Sequence, residues 1–358
     1  MSMKNRFLFL LSTILSAFSA NAQKPEDSLL NFIKENKNRA SLYLTQNDTV
    51  LAKLNEDKMM PLASTVKILV AIEFAKQVAK KSIAETDMVA LTELERYYLP
   101  NTDGDAHPNW LAYEKSKGHI IGDSVQLFDV ARGMIMFSSN ANTEFLMELL
   151  GLDNIKNNIE LLGLKKHSAI YPMVASLFMY QNPKKKSEVD VLKGIGKLSE
   201  QQYCRYIYDM HKALTYDTIL KSKFRPQDLS MKMQKVWSER LPRSTTKEYV
   251  RIASILNNRA FFDDDTYAVL SGVLESIMEN PANKTWLKHA GMKGGSTAWV
   301  LTKALYATTQ KDERIEMAYF FNNLTINEND KLQGWMNSFE LEVLSKAEFR
   351  KKISEALK

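Results

Sequence analysis

The sequence predicts an α/β protein of the α+β sandwich type, in which a five-stranded antiparallel sheet is flanked by helices and carries an inserted all-helical lobe. Apolar and polar residues alternate as in strands in two early and three late segments, at residues 40–44, 49–54, 288–296, 300–308 and 314–322. The long stretch between these groups is mostly helical in pattern. We therefore expect a sheet lobe formed by residues 23–62 and 285–358 and a helical lobe formed by residues 63–284.

Residues 1–22 have the pattern of a secretory signal peptide. The basic residues Lys4 and Arg6 precede an apolar run from Phe7 to Phe18, and the segment ends in Ala20-Asn21-Ala22. The run is shorter than the roughly 20 apolar residues of a membrane-spanning helix, so we expect cleavage after Ala22 and no membrane anchor. This predicts a secreted protein, which is periplasmic in a bacterium with two membranes.

The composition excludes several kinds of function. The formal net charge of +6 is small and dispersed, so no nucleic-acid partner is expected. The single cysteine, Cys204, permits no intrachain disulfide and lies in a helical pattern that predicts a packing role. Asp103, Asp105 and His107 lack the further oxygen ligands of a calcium loop, and we interpret them as part of a solvated loop. We expect no metal or cofactor, and a monomer.

Three helices frame the predicted sheet. An amphipathic helix over residues 25–38 precedes the first strand, and a helix over residues 329–344 closes the chain. Between Ser64 and Lys80, apolar residues occupy all sides of the helical period, which is typical of a helix in the middle of a protein. The early strands lead directly into this central helix.

Ser64 and Lys67 begin the central helix and lie one turn apart on the same face. A serine hydroxyl becomes a good nucleophile only when a base takes its proton. Burial and the positive end of the helix dipole both lower a lysine pKa, so Lys67 is suited to be that base. The backbone N–H of Ser64 can also face a developing oxyanion. The pattern fits either a catalytic serine or an ordinary helix-capping serine.

The same spacing recurs at Ser244-Thr245-Thr246-Lys247. That copy precedes an amphipathic helix and predicts an N-cap. Only the copy at Ser64 precedes a helix predicted to be wholly buried, which favours Ser64 as the functional serine.

Two further segments carry polar groups at defined places. The break Phe137-Ser138-Ser139-Asn140 separates two apolar helices and puts Ser138 and Asn140 on one side of a tight turn. Such a turn is either an interhelical joint or a pair of hydrogen-bonding groups facing a cleft. The second of these segments is the late strand that contains Lys293-Gly294-Gly295-Ser296.

These segments together resemble the motifs of the penicillin-recognising serine hydrolases, and the chain is most similar to the class A β-lactamases among them. The sequence Ser64-Thr65-Val66-Lys67 matches S-x-x-K, Ser138-Ser139-Asn140 matches S-x-N, and Lys293-Gly294-Gly295 is similar to K-T-G. The motifs follow the family's order, and the resemblance covers most of the chain beyond the signal peptide. It implies the β-lactamase and transpeptidase-like fold.

The resemblance also implies a role for each matched residue. Ser64 would form an acyl-enzyme with Lys67 as proton acceptor, and Ser138 would pass a proton to the leaving nitrogen. The substrate would be bound by Asn140, Lys293, Gly295 and Ser296. Among these, Asn140 would bond to a side-chain amide of the substrate and Lys293 would attract its carboxylate. The backbone N–H groups of Ser64 and Ser296 would form the oxyanion hole.

Three departures from the family pattern bear on the expected activity. Ser139 stands where class A enzymes have aspartate, and Gly294 replaces a hydroxyl residue that helps to bind the substrate carboxylate. Class A enzymes activate the deacylating water with a glutamate of an E-x-x-L-N loop, but no acidic residue occurs here from Leu161 to Ser187. We therefore expect either slow deacylation or a water activated by a non-acidic group such as Lys67.

The sequence predicts an exported serine hydrolase of the class A β-lactamase type, which opens cyclic amides through an acyl-serine intermediate and confers antibiotic resistance. Its expected partner is a small-molecule or peptidoglycan-derived substrate. The alternatives are a D-alanyl peptidase or esterase of the same fold, or a non-catalytic protein that binds a cell-wall ligand. Replacing Ser64 with alanine distinguishes these classes, because an enzyme loses labelling and turnover whereas a binding protein keeps its ligand.

Overall fold

The computed structural model describes residues 24–181 and 186–358. The predicted signal peptide, residues 1–22, lies outside the described residues. The strands of the described residues are β1 (Ala40–Gln46), β2 (Thr49–Leu54), β3 (Met60–Pro61), β4 (Met88–Ala90), β5 (Ser124–Gln126), β6 (Arg243–Ser244), β7 (Leu287–Ser296), β8 (Leu301–Thr309) and β9 (Arg314–Phe321).

Five of these strands form one antiparallel sheet in the order β2-β1-β9-β8-β7. The early hairpin joins the late strands through β1 and β9, where Leu42 pairs with Tyr319. The five predicted strands all occur close to their predicted bounds, and the predicted fold class is confirmed. Since β7 is at the edge of the sheet, one side of the strand that contains Lys293 is free of sheet pairing.

Helices surround this sheet and fill most of the chain between β2 and β7. They are α1 (Pro25–Glu35), α2 (Lys67–Ala79), α3 (Leu91–Glu95), α4 (Ala106–Lys117), α5 (Leu127–Met136), α6 (Asn140–Leu150), α7 (Leu152–Leu161), α8 (Met173–Leu177), α9 (Glu188–Gly196), α10 (Glu200–Tyr216), α11 (Thr218–Ser222), α12 (Met231–Glu239), α13 (Thr246–Asn258), α14 (Asp264–Leu274), α15 (Pro281–Lys284), α16 (Ile326–Ser345) and α17 (Ala347–Ala356). Short 3-10 helices occur at Ala63–Val66, Phe178–Tyr180, Pro226–Asp228 and Ser276–Glu279.

The sheet separates two apolar cores, because alternate side chains of a strand point to opposite faces. Met317 and Tyr319 of β9 pack in the core that contains residues of α1, α16 and α17. Ala318 and Phe320 of the same strand pack in the core that contains residues of α2 and α13. The residues at the start of α2 therefore lie on the face of the sheet that packs against α2 and α13.

Helix α2 is central to the fold, as its sequence predicts. Every residue from Lys67 to Ala75 is buried, including the charged Lys67 and Glu73. The helix packs against α5, α6, α7 and α14 and leaves only its C-terminal end partly exposed. A helix enclosed in this way holds its first residues rigidly.

A third apolar cluster lies apart from the two cores beside the sheet. It is built from α8, α9, α10, α12 and the residues that connect them, with Tyr180 and Ile207 fully buried at its centre. Cys204 is buried in α10, as predicted, and burial raises its pKa to about 11. Its members from Tyr171 to Tyr180 belong to the segment in which the sequence lacks an acidic residue.

The structure corrects two sequence-based expectations. The chain does not close with the helix after β9, because α17 (Ala347–Ala356) follows α16 and packs on the sheet. Asp103, Asp105 and His107 do not all lie in a solvated loop, since α4 begins at Ala106 and buries His107 and Trp110. Among the described residues, no helix has the length and apolar character needed to cross a bilayer.

Candidate active site

Ser64 lies in the 3-10 turn that connects β3 to α2, and its side chain is half-buried. The preceding residue, Ala63, has a positive φ of 45°, which is costly for a residue with a β-carbon. The turn packs closely against β7: a β-carbon added to Gly295 would lie 2.7 Å from Leu62 O and 2.8 Å from Thr65 N, and nearer still to Ser64 N. Gly295 therefore allows the edge strand to approach the backbone of Ser64.

Lys67 is completely buried at the first turn of α2. Its Nζ donates to the backbone oxygen of Ser138 at 2.6 Å and to Asn140 Oδ1 at 2.9 Å. Nζ also lies 3.3 Å from Ser138 Oγ. Within the described residues, Lys67 makes no hydrogen bond to Ser64 Oγ. In the free protein it is bonded instead to the S-x-N motif, at Ser138 and Asn140.

Ser138 occupies the turn between α5 and α6 and has a positive φ of 66°. Its Oγ accepts a hydrogen bond from Lys293 Nζ at 3.1 Å. Lys293 is held in turn by its second hydrogen bond, to the backbone oxygen of Gly294 at 2.7 Å. The hydroxyl of Ser138 consequently lies between two lysine nitrogens, from α2 and from β7. The positive φ of Ser138 is a strained backbone conformation, and such conformations often occur at functional sites.

Burial shifts the pKa values of both lysines in the same direction. Burial, together with the charge of Lys293, holds the pKa of Lys67 well below its ordinary value of 10.5, while the charges of Asp103 and Glu144 act in the opposite sense. Burial, together with the charge of Lys303, lowers the pKa of Lys293 to about 7. A neutral Lys67 has two N–H donors and one lone pair, so its bonds to Ser138 O and Asn140 leave the lone pair available.

Ser139, which replaces the aspartate of the class A motif, is buried and structural. It caps α6 by accepting the backbone N–H of Asn142 at 3.2 Å. Its Oγ also lies 3.0 Å from His107 Nδ1, and His107 is only 1% exposed. The contact joins α4 to the turn that carries Ser138. Sequence reasoning assigned His107 to a solvated loop because Trp110 is the single large apolar residue buried by α4, which leaves little helical periodicity to detect.

A cavity of about 730 Å³ brings the predicted site residues together. Its lining includes Ser64, Ser138, Asn140, Gly295 and Ser296, while Lys67 and Lys293 reach it through their contacts with Ser138. One wall is apolar and comes from the third cluster and its neighbours, at Met173, Leu177, Pro226, Leu229, Trp237 and Leu241. The turn before α4, with Asp103, and helix α16 complete the enclosure. The cavity suits a small molecule with both polar and apolar parts.

The segment from Leu161 to Ser187, which has no acidic residue, contributes to this apolar wall. Helix α8 lies there, and its first turn is held by Glu144 of α6, which accepts backbone N–H groups of Val174 and Ala175. The other oxygen of Glu144 lies 3.2 Å from His211 Nδ1. Met173 and Leu177 of α8 thus line the cavity without supplying an acid or base.

One group of metal-binding residue types occurs elsewhere in the described residues. Glu114, His119 and Asp129 place a ligand atom each within 4.8 Å of one another. His119 Nδ1 lies 2.6 Å from Glu114 Oε2 and 3.5 Å from Asp129 Oδ1, and burial raises the pKa of both carboxyls. The contacts of His119 with the two carboxylates explain why the three residues lie together. None of the three is part of the cavity lining described above.

The second S-x-x-K copy has the ordinary structural role that its sequence predicts, with one change of residue. The N-cap of α13 is Thr245, which accepts the backbone N–H of Glu248, whereas Ser244 lies on the short strand β6. Lys247 is exposed and forms an ion pair with Asp57.

The five-stranded sheet with its flanking helices, and Ser138 between two buried lysines, define a serine hydrolase of the β-lactamase type. The profile of the Beta-lactamase enzyme family matches residues 24–263, and the chain belongs to that family. The matched region contains Ser64, Lys67 and Ser138, and Lys293 lies beyond it. Proteins of this family act on small-molecule substrates.

Solved structures of low sequence identity share the fold. A β-lactamase from Sphaerobacter thermophilus is 16% identical with a TM-score of 0.55, over 90% of this chain and 97% of that one. A β-lactamase from Chitinophaga pinensis is 14% identical with a TM-score of 0.53, over 92% and 97%. PBP-A is 13% identical with a TM-score of 0.50, over 88% and 94%. No curated protein sequence matches the chain.

Proposed function

We propose that the chain opens β-lactams or related amides through an acyl-enzyme on Ser64. The observation that carries this proposal is the position of the Ser138 hydroxyl, 3.3 Å from Lys67 Nζ and 3.1 Å from Lys293 Nζ, on the same cavity as Ser64. Labelling with a fluorescent penicillin tests it. We expect covalent labelling of the protein and none of the variant Ser64→Ala, and equal labelling of both would contradict the proposal.

Acylation on this arrangement begins with a bond from Ser64 Oγ to the carbonyl carbon, while the serine proton passes to the neutral amine of Lys67. The backbone N–H groups of Ser64 and Ser296 then bind the oxyanion, each such donor contributing about 3 kcal/mol. Ser138 gives its proton to the leaving nitrogen as the C–N bond breaks, and it recovers a proton from the Lys67 ammonium. Contacts between base and nucleophile are commonly longer in free enzymes than in complexes.

We expect a bell-shaped pH dependence of kcat/KM for acylation by a β-lactam that carries a carboxylate. The rate rises with pH on the acidic side, because Lys67 with its lowered pKa must lose its proton to act as base. It falls above about pH 7, because Lys293, with a pKa of about 7, must keep its proton to attract the carboxylate. Stopped-flow acylation with the free acid and with its methyl ester checks this, and an equal alkaline decline in both would contradict it.

Lys303 is proposed to join Lys293 in binding the substrate carboxylate. It pairs with Gly294 across β7 and β8, and a β-carbon added to Gly294 would lie 3.6 Å from Lys303 Cε. The lysine side chain therefore lies beside the position where the family motif has a hydroxyl residue. Lys303 lines the cavity, is 13% exposed at its side chain and contacts Glu340 at 3.3 Å.

The variant Lys303→Met is expected to raise KM for a carboxylate-bearing β-lactam by about 10- to 100-fold and to change kcat little. The reason is the loss of one charge-assisted contact, which contributes about 1.5–3 kcal/mol. Steady-state kinetics with the acid and its methyl ester measure the effect. Equal effects on the acid and the ester would show that Lys303 acts through packing or its contact with Glu340 instead.

We also propose that the protein is exported as a monomer after cleavage of residues 1–22 and that it confers resistance to β-lactams. The support is the sequence pattern that ends at Ala22. The intact mass of the protein from a periplasmic fraction is expected to begin at Gln23. A full-length mass, or retention in the cytoplasm, would contradict the proposed export.

A D-alanyl peptidase of the same fold is the second candidate function. It is favoured by the apolar packing of α8 where a class A enzyme has its glutamate, because an acyl-enzyme without an activated water persists. The lifetime of the penicillin adduct separates the two candidates. Decay with release of the hydrolysed antibiotic supports the β-lactamase, and a lasting adduct with turnover of a D-alanyl peptide supports the peptidase.

A further inference from the structure

We infer that Asp103 is the general base that activates the deacylating water. This inference rests on the proposed function, because it concerns the hydrolysis of an acyl group on Ser64. It departs from the sequence-based expectation, in which no acid was available and Lys67 was the candidate to activate water.

The position of Asp103 is the first support. It lies in the turn between α3 and α4, and Thr102 and Gly104 on either side of it also line the cavity. Among the cavity-lining residues of the described chain, Asp103 is the only one with a carboxylate. Any water that attacks an ester on Ser64 from within this cavity therefore has one carboxylate available as a base.

The hydrogen bonding of Asp103 is the second support. Oδ2 accepts the backbone N–H of His107 at 3.0 Å, which fixes the side chain to the start of α4. Oδ1 is buried and has no hydrogen-bond partner among the described residues. A buried polar atom without a partner has lost its hydration without replacement, so Oδ1 is an acceptor that gains by binding a water or a substrate group.

The neighbouring charges single out Asp103. The charges of two carboxylates, Asp103 and Glu144, raise the pKa of Lys67. Both carboxylates therefore lie near Lys67, the proposed base of the acylation step. Glu144 is 1% exposed, and its oxygens are taken by the N-terminus of α8 and by His211. Asp103 is the carboxylate that retains a free acceptor oxygen, and His107, to which it is bonded, also contacts Ser139 of the second motif.

The deacylation step balances with Asp103 as the base. The water oxygen bonds to the ester carbonyl carbon as one of its protons passes to the Asp103 carboxylate. The bond from that carbon to Ser64 Oγ then breaks, and Oγ takes up the proton held by Asp103, relayed by the amine of Lys67, which acylation left neutral. Asp103 is thereby restored as a carboxylate, Lys67 remains neutral, and the product leaves as the free acid.

The variant Asp103→Asn tests this assignment. Asparagine keeps the size and the bond to His107 N–H but cannot take a proton, so we expect acylation within about twofold of the unsubstituted protein and deacylation slowed by about 10²- to 10⁴-fold. Asp105→Asn is the matched control, because Asp105 is exposed in the same turn and is absent from the cavity lining. Time-resolved mass spectrometry of the penicillin adduct measures both steps.

Each outcome decides the assignment. An adduct that accumulates in Asp103→Asn but decays in Asp105→Asn supports it, whereas equal decay in both overturns it and leaves the proposed function standing. If Asp103→Asn does not fold, the variant Asp103→Glu is tested in its place. Glutamate keeps a carboxylate but holds it at a different position, so we expect a reduced rate of deacylation. Unchanged decay in a folded Asp103→Ala variant would also overturn the assignment. No adduct in the unsubstituted protein overturns the proposed function itself.

Discussion

Replacing Lys67 with methionine is expected to lower kcat/KM for acylation by about 10²- to 10⁴-fold, which is the usual contribution of a general base. Methionine keeps the length of the side chain in the buried start of α2 but removes the amine that is proposed to take the Ser64 proton. It also leaves Ser138 O and Asn140 Oδ1 without their donor. Rapid-mixing measurements of adduct formation give the acylation rate, and thermal unfolding monitors the fold.

The control for this variant is Lys247→Met, since Lys247 ends the second S-x-x-K copy and its side chain is exposed in the first turn of α13. We expect its acylation rate to equal that of the unsubstituted protein. Acylation of Lys67→Met at an undiminished rate would show that another group accepts the serine proton.

Replacing Gly295 with alanine is expected to slow acylation by at least about 10²-fold, because misplacement of reacting groups by about 1 Å can have that effect. The added β-carbon would meet backbone atoms of Leu62, Ser64 and Thr65, which cannot rotate away as a side chain can. Either the 3-10 turn or β7 has to move, and both carry N–H groups of the proposed oxyanion hole. Overpacking of this kind also lowers the free energy of unfolding by about 1–3 kcal/mol.

Gly194→Ala is the matched glycine control. A β-carbon at this exposed position of α9 has no atom within 4 Å, so we expect unchanged acylation and a gain in stability of up to about 1 kcal/mol. Urea unfolding and adduct formation, measured on both variants, separate a local effect on Ser64 from general destabilisation. Normal acylation by Gly295→Ala would contradict the close packing of β7 on the serine turn.

The parts of the fold that were predictable are those with strong periodicity. The apolar residues of β8 and β9 reflect burial on both faces of the sheet, and those on all sides of α2 reflect its burial by the helices around it. The contacts of Lys67 were only partly predictable. Sequence spacing placed it one turn from Ser64, but its hydrogen bonds to Ser138 and Asn140 depend on how α2 meets the turn before α6.

The parts that were missed lack a local signal. Asp103 and His107 stand in a polar stretch, and the burial of His107 arises from long-range packing of α4 against the second motif. The role of α8 as a wall held by Glu144 likewise depends on a contact between residues 30 positions apart. Pairings of this kind are set by the tertiary fold, and no single-sequence period reports them.

The most direct test of the account is intact-protein mass spectrometry of the mature protein mixed with a penicillin, followed over time and beside Ser64→Ala. We predict an adduct with the mass of the penicillin, mapped to Ser64 by peptide digestion and absent from the variant. An adduct on another residue, or the same adduct in Ser64→Ala, would contradict the central claim that Ser64 is the nucleophile. If neither protein gains mass and no penicillin is hydrolysed, the proposed reaction is wrong for this cavity.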